Sequence, residues 1–230
     1  MVIRPACAAG KSYPADADEL ITSIAELLLS YPVADYLPHA LVVPHNNLET
    51  TGLVSAAAFR HLSQLSSVIE NVVVIAATED NAKGAVLPIC QQFATPLGAV
   101  ELHSQHMQSL SLLPFVSRSD RSHYHSSRIE VQLPFLQTCL TDFRLVPILI
   151  GELANEDMSL LFESLPNNRE TLVVLSMDVM SKRGNCPDSS EQKVFSSFVE
   201  HCNNTRWQIK TASMDNDAKL RDVLESFIIH

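Results

Sequence analysis

Glycine is scarce in this chain, with six residues among 230 that never cluster. A dinucleotide fingerprint packs several glycines into one strand-to-helix turn, so that kind of cofactor site is excluded. Gly10-Lys11-Ser12 has no earlier glycine to complete a phosphate-binding loop, and a Gly-x-Ser-x-Gly serine elbow does not occur. Basic residues are also few: 16 Lys plus Arg stand against 26 Asp plus Glu, for a formal charge of -10. Such a balance does not suit the neutralisation of phosphates, and nucleic acid is not expected as a partner. The acidic excess is that of a solvated surface. Five cysteines (Cys7, Cys90, Cys139, Cys186 and Cys202) form no Cys-x-x-Cys pair and are odd in number, so small buried thiols are expected rather than a disulfide scaffold. The chain lacks an uninterrupted apolar run of the roughly 18 residues a membrane span requires. Met1-Val-Ile-Arg-Pro5 does not read as the start of a leader peptide, and the expectation is a reducing cytoplasm without a membrane partner.

What is present is a core. Hydrophobic residues make up 46% of the chain, enough for one domain spanning residues 1–230. Runs rich in β-branched residues alternate with stretches of helical period, which predicts an α/β fold: a mainly parallel central sheet flanked by helices. Strands are predicted at Ala40 to Pro44, Asn71 to Ala77, Ala85 to Ile89, Phe143 to Ile150 and Thr171 to Met177, where the core sheet is expected to end, with a separate strand at Trp207 to Thr211. A first helix is predicted from Asp16, with Glu19 as its capping-box partner and an apolar stripe of Leu20, Ile24, Leu27 and Leu28. Further helical spacing runs from Gly52 through Leu62, from Glu101 to Leu113, from Ile129 to Leu140, from Asn155 to Leu165 and from Glu191 to His201, with a last helix from Asp215. Pro134 should start or kink a helix within Ile129 to Leu140. Ser181 to Ser190 reads as a loop.

In open α/β sheets ligands bind at the carboxyl ends of the strands. The residues that follow the predicted strands there are His45, Glu79 and Asp178. One imidazole and two carboxylates on one edge suit Fe(II), Mn(II) or Zn(II) and leave coordination positions open. The same residues equally suit a structural role, with acids capping the next helix and a histidine bonding backbone groups. His123 and His125 in Ser-His-Tyr-His-Ser form the one close histidine pair. Glu130 and Gln132 are polar positions in an otherwise apolar helical stretch, and either face a cleft or form one polar helix face.

Two segments carry a family resemblance: Arg4-Pro-Ala-Cys-Ala-Ala-Gly-Lys-Ser-Tyr-Pro-Ala-Asp16 and Ile129-Glu-Val-Gln-Leu-Pro-Phe135. Both resemble signature segments of the Memo family, the AmmeMemoRadiSam system protein B group, whose fold is similar to that of class III extradiol dioxygenases that use non-haem iron. The resemblance covers roughly residues 4 to 178 and implies a metal site after the strands. Where the family typically reads Pro-His-Ala-Gly-Tyr followed by Ser-Gly, this chain keeps Pro44-His45 and Gly52 but carries Asn46-Asn47-Leu48-Glu49-Thr50-Thr51 between them. The family's Gly-Pro-Ser-His aligns with Ala76-Ala77-Thr78-Glu79, which puts a carboxylate in place of the second histidine. Its Glu-His-Ser triplet aligns with Ser126-Ser127-Arg128, which puts Ser127 in place of the third. Its Ser-Asp-x-x-His element reads Met177-Asp178-Val179-Met180-Ser181, keeping the aspartate and losing the histidine. A later Cys-Gly segment has no counterpart, and the part after about residue 181 is shortened or divergent.

The resemblance therefore implies a divergent member whose metal centre has decayed, leaving at most weak divalent-metal binding and a cleft that acts in ligand or protein binding. His45, Glu79 and Asp178 are its vestigial positions, with Ser127, Glu130, Ser181 and His123 as cleft candidates. The alternative is a metal-dependent oxidoreductase or hydrolase with a rearranged centre built from His45, Glu79 and Asp178. A third reading makes these residues purely structural. The resemblance also implies an unknown protein or small-molecule partner, radical SAM system components among them.

Overall fold

In the computed structural model the described residues are 2–32, 38–64, 67–80, 82–178, 189–205 and 209–211. Their order is β1 (Ile3–Arg4), α1 (Ala17–Leu29), β2 (Ala40–Pro44), α2 (Leu48–Phe59), β3 (Asn71–Ala77), β4 (Ala85–Leu87), β5 (Gln92–Thr95) and β6 (Gly98–Glu101). Then come α3 (Ser104–Leu110), β7 (Val116–Arg118), α4 (Asp120–His125), α5 (Leu133–Cys139), β8 (Arg144–Ile150), α6 (Asn155–Glu163), β9 (Thr171–Met177), α7 (Ser189–Thr205) and β10 (Ile209–Thr211).

Seven strands form the main sheet in the order β10-β2-β9-β3-β8-β4-β7. All neighbours are parallel except β4 and β8. Every residue of β2 and β9 is buried, as is all of β3 after Asn71, which is why these strands read as unbroken apolar runs rather than alternations. Crossovers between parallel strands are right-handed, so the direction of each step decides which face its helix covers. The step from β2 through α2 to β3 runs one way along the sheet, and the step from β8 through α6 to β9 runs the other. Consequently α1, α2 and α5 share one face, where Phe59 stacks on Phe135 at 5.0 Å, and α6 and α7 share the opposite one, where Phe162 meets Phe198 edge-on at 5.5 Å. The chain leaves β9 and its neighbour β3 in opposite directions, which opens a crevice beyond their carboxyl ends.

Most predicted elements are present within a few residues of their expected bounds. Asp16 caps α1 by accepting from the amides of Asp18 and Glu19, and Leu20, Ile24 and Leu28 are buried beneath it. Pro134 occupies the first turn of α5, where its missing N–H costs no helical bond, after a short 3-10 turn at Glu130–Gln132. Gly52 lies inside α2, where an added Cβ would come within 2.8 Å of Leu27, so this glycine lets α1 and α2 approach closely.

Two expectations need correction, and one hairpin was not expected. Helical spacing over Glu101 to Leu113 is only partly helical: Glu101 ends β6, and α3 begins at Ser104. β5 and β6 form a hairpin, closed at Gly98, that pairs with β1 in a separate three-stranded sheet. The main sheet also does not end at β9, because β10 extends it beside β2. The helix expected from Asp215 lies outside the described residues, as do Ser181 and Cys186. Among the described cysteines, Cys90, Cys139 and Cys202 are buried and Cys7 is half-buried, all with free thiols. No helix among the described residues is long and apolar enough to cross a membrane.

The two segments that carry the family resemblance meet in space. Arg4 forms a buried ion pair with Glu130 and donates from Nε to the His123 carbonyl at 2.7 Å and from Nη2 to the Ser126 carbonyl at 2.9 Å. Glu130, fully buried, also accepts from the amides of Cys7 at 3.0 Å and Ala8 at 2.8 Å and from the Tyr13 hydroxyl. Each of its oxygens has two donors, the condition under which a buried carboxylate is tolerated. Burial, and then the hydrogen bond to Glu130, push the Tyr13 phenol well above its ordinary range, so it remains a donor.

Candidate functional site

At the carboxyl edge of the main sheet lies a cleft of about 620 Å³ lined by polar residues. Thr78, Glu79 and Asp80 come from the turn after β3, and Arg128 from the segment before α5. Ser190 and Lys193 come from the first turns of α7, while Ile150 and Met158 supply an apolar floor. Gly151, after β8, permits the narrow wall here, because a Cβ would stand 1.9 Å from the Ala82 carbonyl oxygen.

The centre of the charge pattern is Arg128. Its guanidinium donates from Nη1 to Glu191, from the same nitrogen to the Ala77 carbonyl at 3.2 Å, and lies 3.3 Å through Nε from Glu79. Glu191, on the first turn of α7, is buried and also accepts from the Asp178 amide at 3.1 Å. A carboxylate in the first turn of a helix meets the favourable end of the helix dipole. Glu79 is nearly half exposed, at 46% of its side chain, and takes a second hydrogen bond from Ser126 Oγ at 3.2 Å. Lys193 points its ammonium at the Leu153 carbonyl, 2.6 Å away, tying α7 to the entrance of α6.

His45 follows β2 and is largely buried, with Nε2 3.9 Å from Glu191. Burial, and then the Arg128 guanidinium beside it, hold the imidazole down at about 4, so it is neutral at pH 7 and the approach to Glu191 is no ion pair. Its Nδ1 is buried and makes no well-formed hydrogen bond, although the Ser176 backbone lies near enough to favour the charged form. Gln132 locks the neighbouring strand ends by donating to the Pro44 carbonyl at 2.9 Å and to Ser176 Oγ at 2.8 Å, and Ser176 Oγ donates in turn to the Arg128 carbonyl at 2.6 Å.

Of the residues read from sequence, His45, Glu79 and Asp178 are brought to this one edge. Their connections run through Arg128 and Glu191. Among the described residues no three of His, Cys, Asp or Glu are grouped as a metal site. A fixed guanidinium already in contact with Glu79 and Glu191 opposes entry of a second cation, so this donor set does not fit the non-haem metal that the family resemblance implies. Ser127 is half-buried, and its neighbour Ser126 is the residue that reaches Glu79. Glu130 lies under the N-terminal segment and does not line the cleft. His123 is buried in α4, an element absent from the expected series, with Nε2 2.9 Å from the Val86 carbonyl, whereas His125 of the same helix is exposed. Leu48 does not line this cleft and lies beside Ser12 and Tyr13 instead.

The charged residues of this edge that sequence reasoning did not single out are Arg128, Glu191 and Lys193. Arg128 had a visible signal, as the basic side chain directly before the segment Ile129–Phe135 that carries the family resemblance; Glu191 stands 63 positions further along, and nothing local links them.

The geometry defines a doubly wound α/β protein with a charged crevice at its switch point. The model of Memo-like proteins matches residues 4–220, and the chain belongs to that family. It is 34% identical over 193 residues to a MEMO1 family protein of Ignicoccus hospitalis, covering 76% of this chain and 67% of the relative. A MEMO1 family protein of Methanobrevibacter smithii is 28% identical over 65% of this chain and 57% of its own length. One from Aquifex aeolicus is 28% identical over 78% and 67% respectively. The chain thus spans between 57% and 67% of the length of these relatives.

Proposed function

We propose that this chain is a Memo-family protein that works without a bound metal, using the strand-end cleft and its surroundings to bind a ligand or a protein rather than to catalyse a reaction. The observation that carries this reading is the placement of Arg128, whose guanidinium supplies the positive charge that Glu79 and Glu191 would otherwise take from a bound cation. A guanidinium offers donors only and has no vacant coordination position, so it can orient a bound group by hydrogen bonding but cannot polarise one as a Lewis acid. Neutral His45 has a donor–acceptor pair of nitrogens, yet burial leaves it poorly placed to exchange protons with solvent at pH 7. The cleft volume of about 620 Å³ is that of a small-molecule site.

Elemental analysis of protein purified without chelator tests the reading. Iron, copper, zinc and manganese well below one equivalent per chain are expected. Stoichiometric metal that survives dialysis overturns it and returns the alternative, a metal-dependent oxidoreductase or hydrolase with a rearranged centre.

A further inference from the structure

We infer that a second cavity, on the rim of the main sheet opposite the strand-end cleft, binds a short extended peptide of about three residues, its free carboxylate on Arg118 and its free ammonium on Glu101. The inference stands apart from the metal-free reading above, since the two cavities share no lining residue.

β4 runs antiparallel to β8 and parallel to β7, so the chain leaves β4 and β7 on the side where β8 begins. There the start of β5, the end of β6 and one face of α3 enclose a groove of about 650 Å³, a size that suits a small ligand. Its floor is apolar, with Cys90, Leu102 and Met107 all buried. Its walls carry the side-chain amides of Gln91, Gln92 and Gln108, none of which has a hydrogen-bond partner among the described residues. A primary amide both donates and accepts, as a peptide unit does, so three of them above an apolar floor match an extended backbone. Charge gives the groove a direction. Arg118 donates from Nε to Ser111 Oγ at 3.1 Å, and its two terminal nitrogens have no partner among the described residues. Glu101, opposite Gln92 in the hairpin, stands just before Ser104 at the start of α3 and forms no ion pair among the described residues. Two opposite charges thus line one groove without meeting. From Ser104 to its C-cap Ser111 the helix rises about 10 Å, the reach of about three extended residues. A single amino acid is too short to touch both ends, whereas a guanidinium fork at one end suits a terminal carboxylate and a carboxylate at the other suits a terminal ammonium.

The test uses the full chain and the peptide Ala-Leu-Ala with both termini free, followed by titration calorimetry. One peptide per chain is expected to bind, and amidating its carboxyl end or acetylating its amino end should each weaken binding about tenfold, the loss of one charge-assisted contact. Arg118→Gln should weaken binding of the free peptide about tenfold and leave it indifferent to amidation, and Glu101→Gln should do the same for acetylation. Both side chains are exposed, so neither change threatens the fold, and the modified peptides test the wild type without any substitution. Methyl-labelled methionine places the peptide by NMR: the Met107 signal should move, and that of Met158 in the strand-end cleft should stay. No binding at millimolar peptide, or binding that survives both amidation and Arg118→Gln unchanged, overturns the inference. A shift at Met158 without one at Met107 overturns it too, while leaving the strand-end cleft as a ligand site.

Discussion

The chain uses an arginine and carboxylates twice, and the two clusters differ in everything but chemistry. Arg4 and Glu130 are both buried, at 3% and 0% side-chain exposure, and each oxygen of the carboxylate is matched by donors from the first thirteen residues. Arg128 sits at the sheet edge, shared between buried Glu191 and half-exposed Glu79. A buried charge that loses its partner has nowhere to turn, while an edge charge can turn to water. The first cluster is therefore a clamp whose parts cannot be exchanged, and the second is a network that solvent partly reaches. Context, rather than residue type, separates the two.

The comparison is broken most severely at the clamp. Glu130→Ala leaves the Arg4 guanidinium buried without a counter-charge and should cost about 3–5 kcal/mol, read as a lower urea midpoint at unchanged slope. A loss below about 1 kcal/mol would show that the clamp is not what holds the N-terminal segment. The pH dependence comes next. His45 and His123 are both held down at about 4, His45 by burial and Arg128, His123 chiefly by burial, so each binds its proton more readily in the unfolded chain. Stability is therefore full above the unfolded value near 6.5 and falls as pH drops from there towards 4, by about 2 kcal/mol per histidine between pH 7 and 5. Urea unfolding at the two pH values should show that loss, and His123→Asn should remove about half of the difference between them.

At the edge cluster the effects should be smaller. Glu191→Gln keeps the shape but removes the buried charge beside Arg128, with an expected cost of about 1–2 kcal/mol by thermal or urea melt. Glu79→Gln should change stability by less than about 1 kcal/mol, because a carboxylate this exposed is already screened by solvent. Equal losses at Glu79 and Glu130 would erase the distinction between site and clamp.

How far the sequence announced this depends on the range of the interaction. β2, β3 and β9 were legible because both of their faces are buried, which writes an unbroken apolar run into the chain. The start of α1 was legible because its cap is local, and so was the role of Pro134. The hairpin β5–β6 escaped because Glu101, Leu102, Met107 and Leu110 mimic helical spacing across a strand-to-helix junction. α4 escaped because six polar and aromatic residues show no apolar stripe, their one buried member being His123. At the site, position after a strand found His45, Glu79 and Asp178, which the structure does bring to one edge. What linked them was hidden: Arg4 to Glu130 spans 126 positions and Arg128 to Glu191 spans 63, and pairings of that length leave no periodic trace.

The clamp also dictates how the polypeptide can be handled. Because residue 4 closes over a carboxylate that has no access to water, trimming even a handful of amino acids from the front would strand a negative charge in the interior. Val2 and Ile3, by contrast, are themselves exposed, at 59% and 47%, so an extension added ahead of them leaves the seal intact. Affinity handles belong in front of the amino terminus, and deletions there should be avoided.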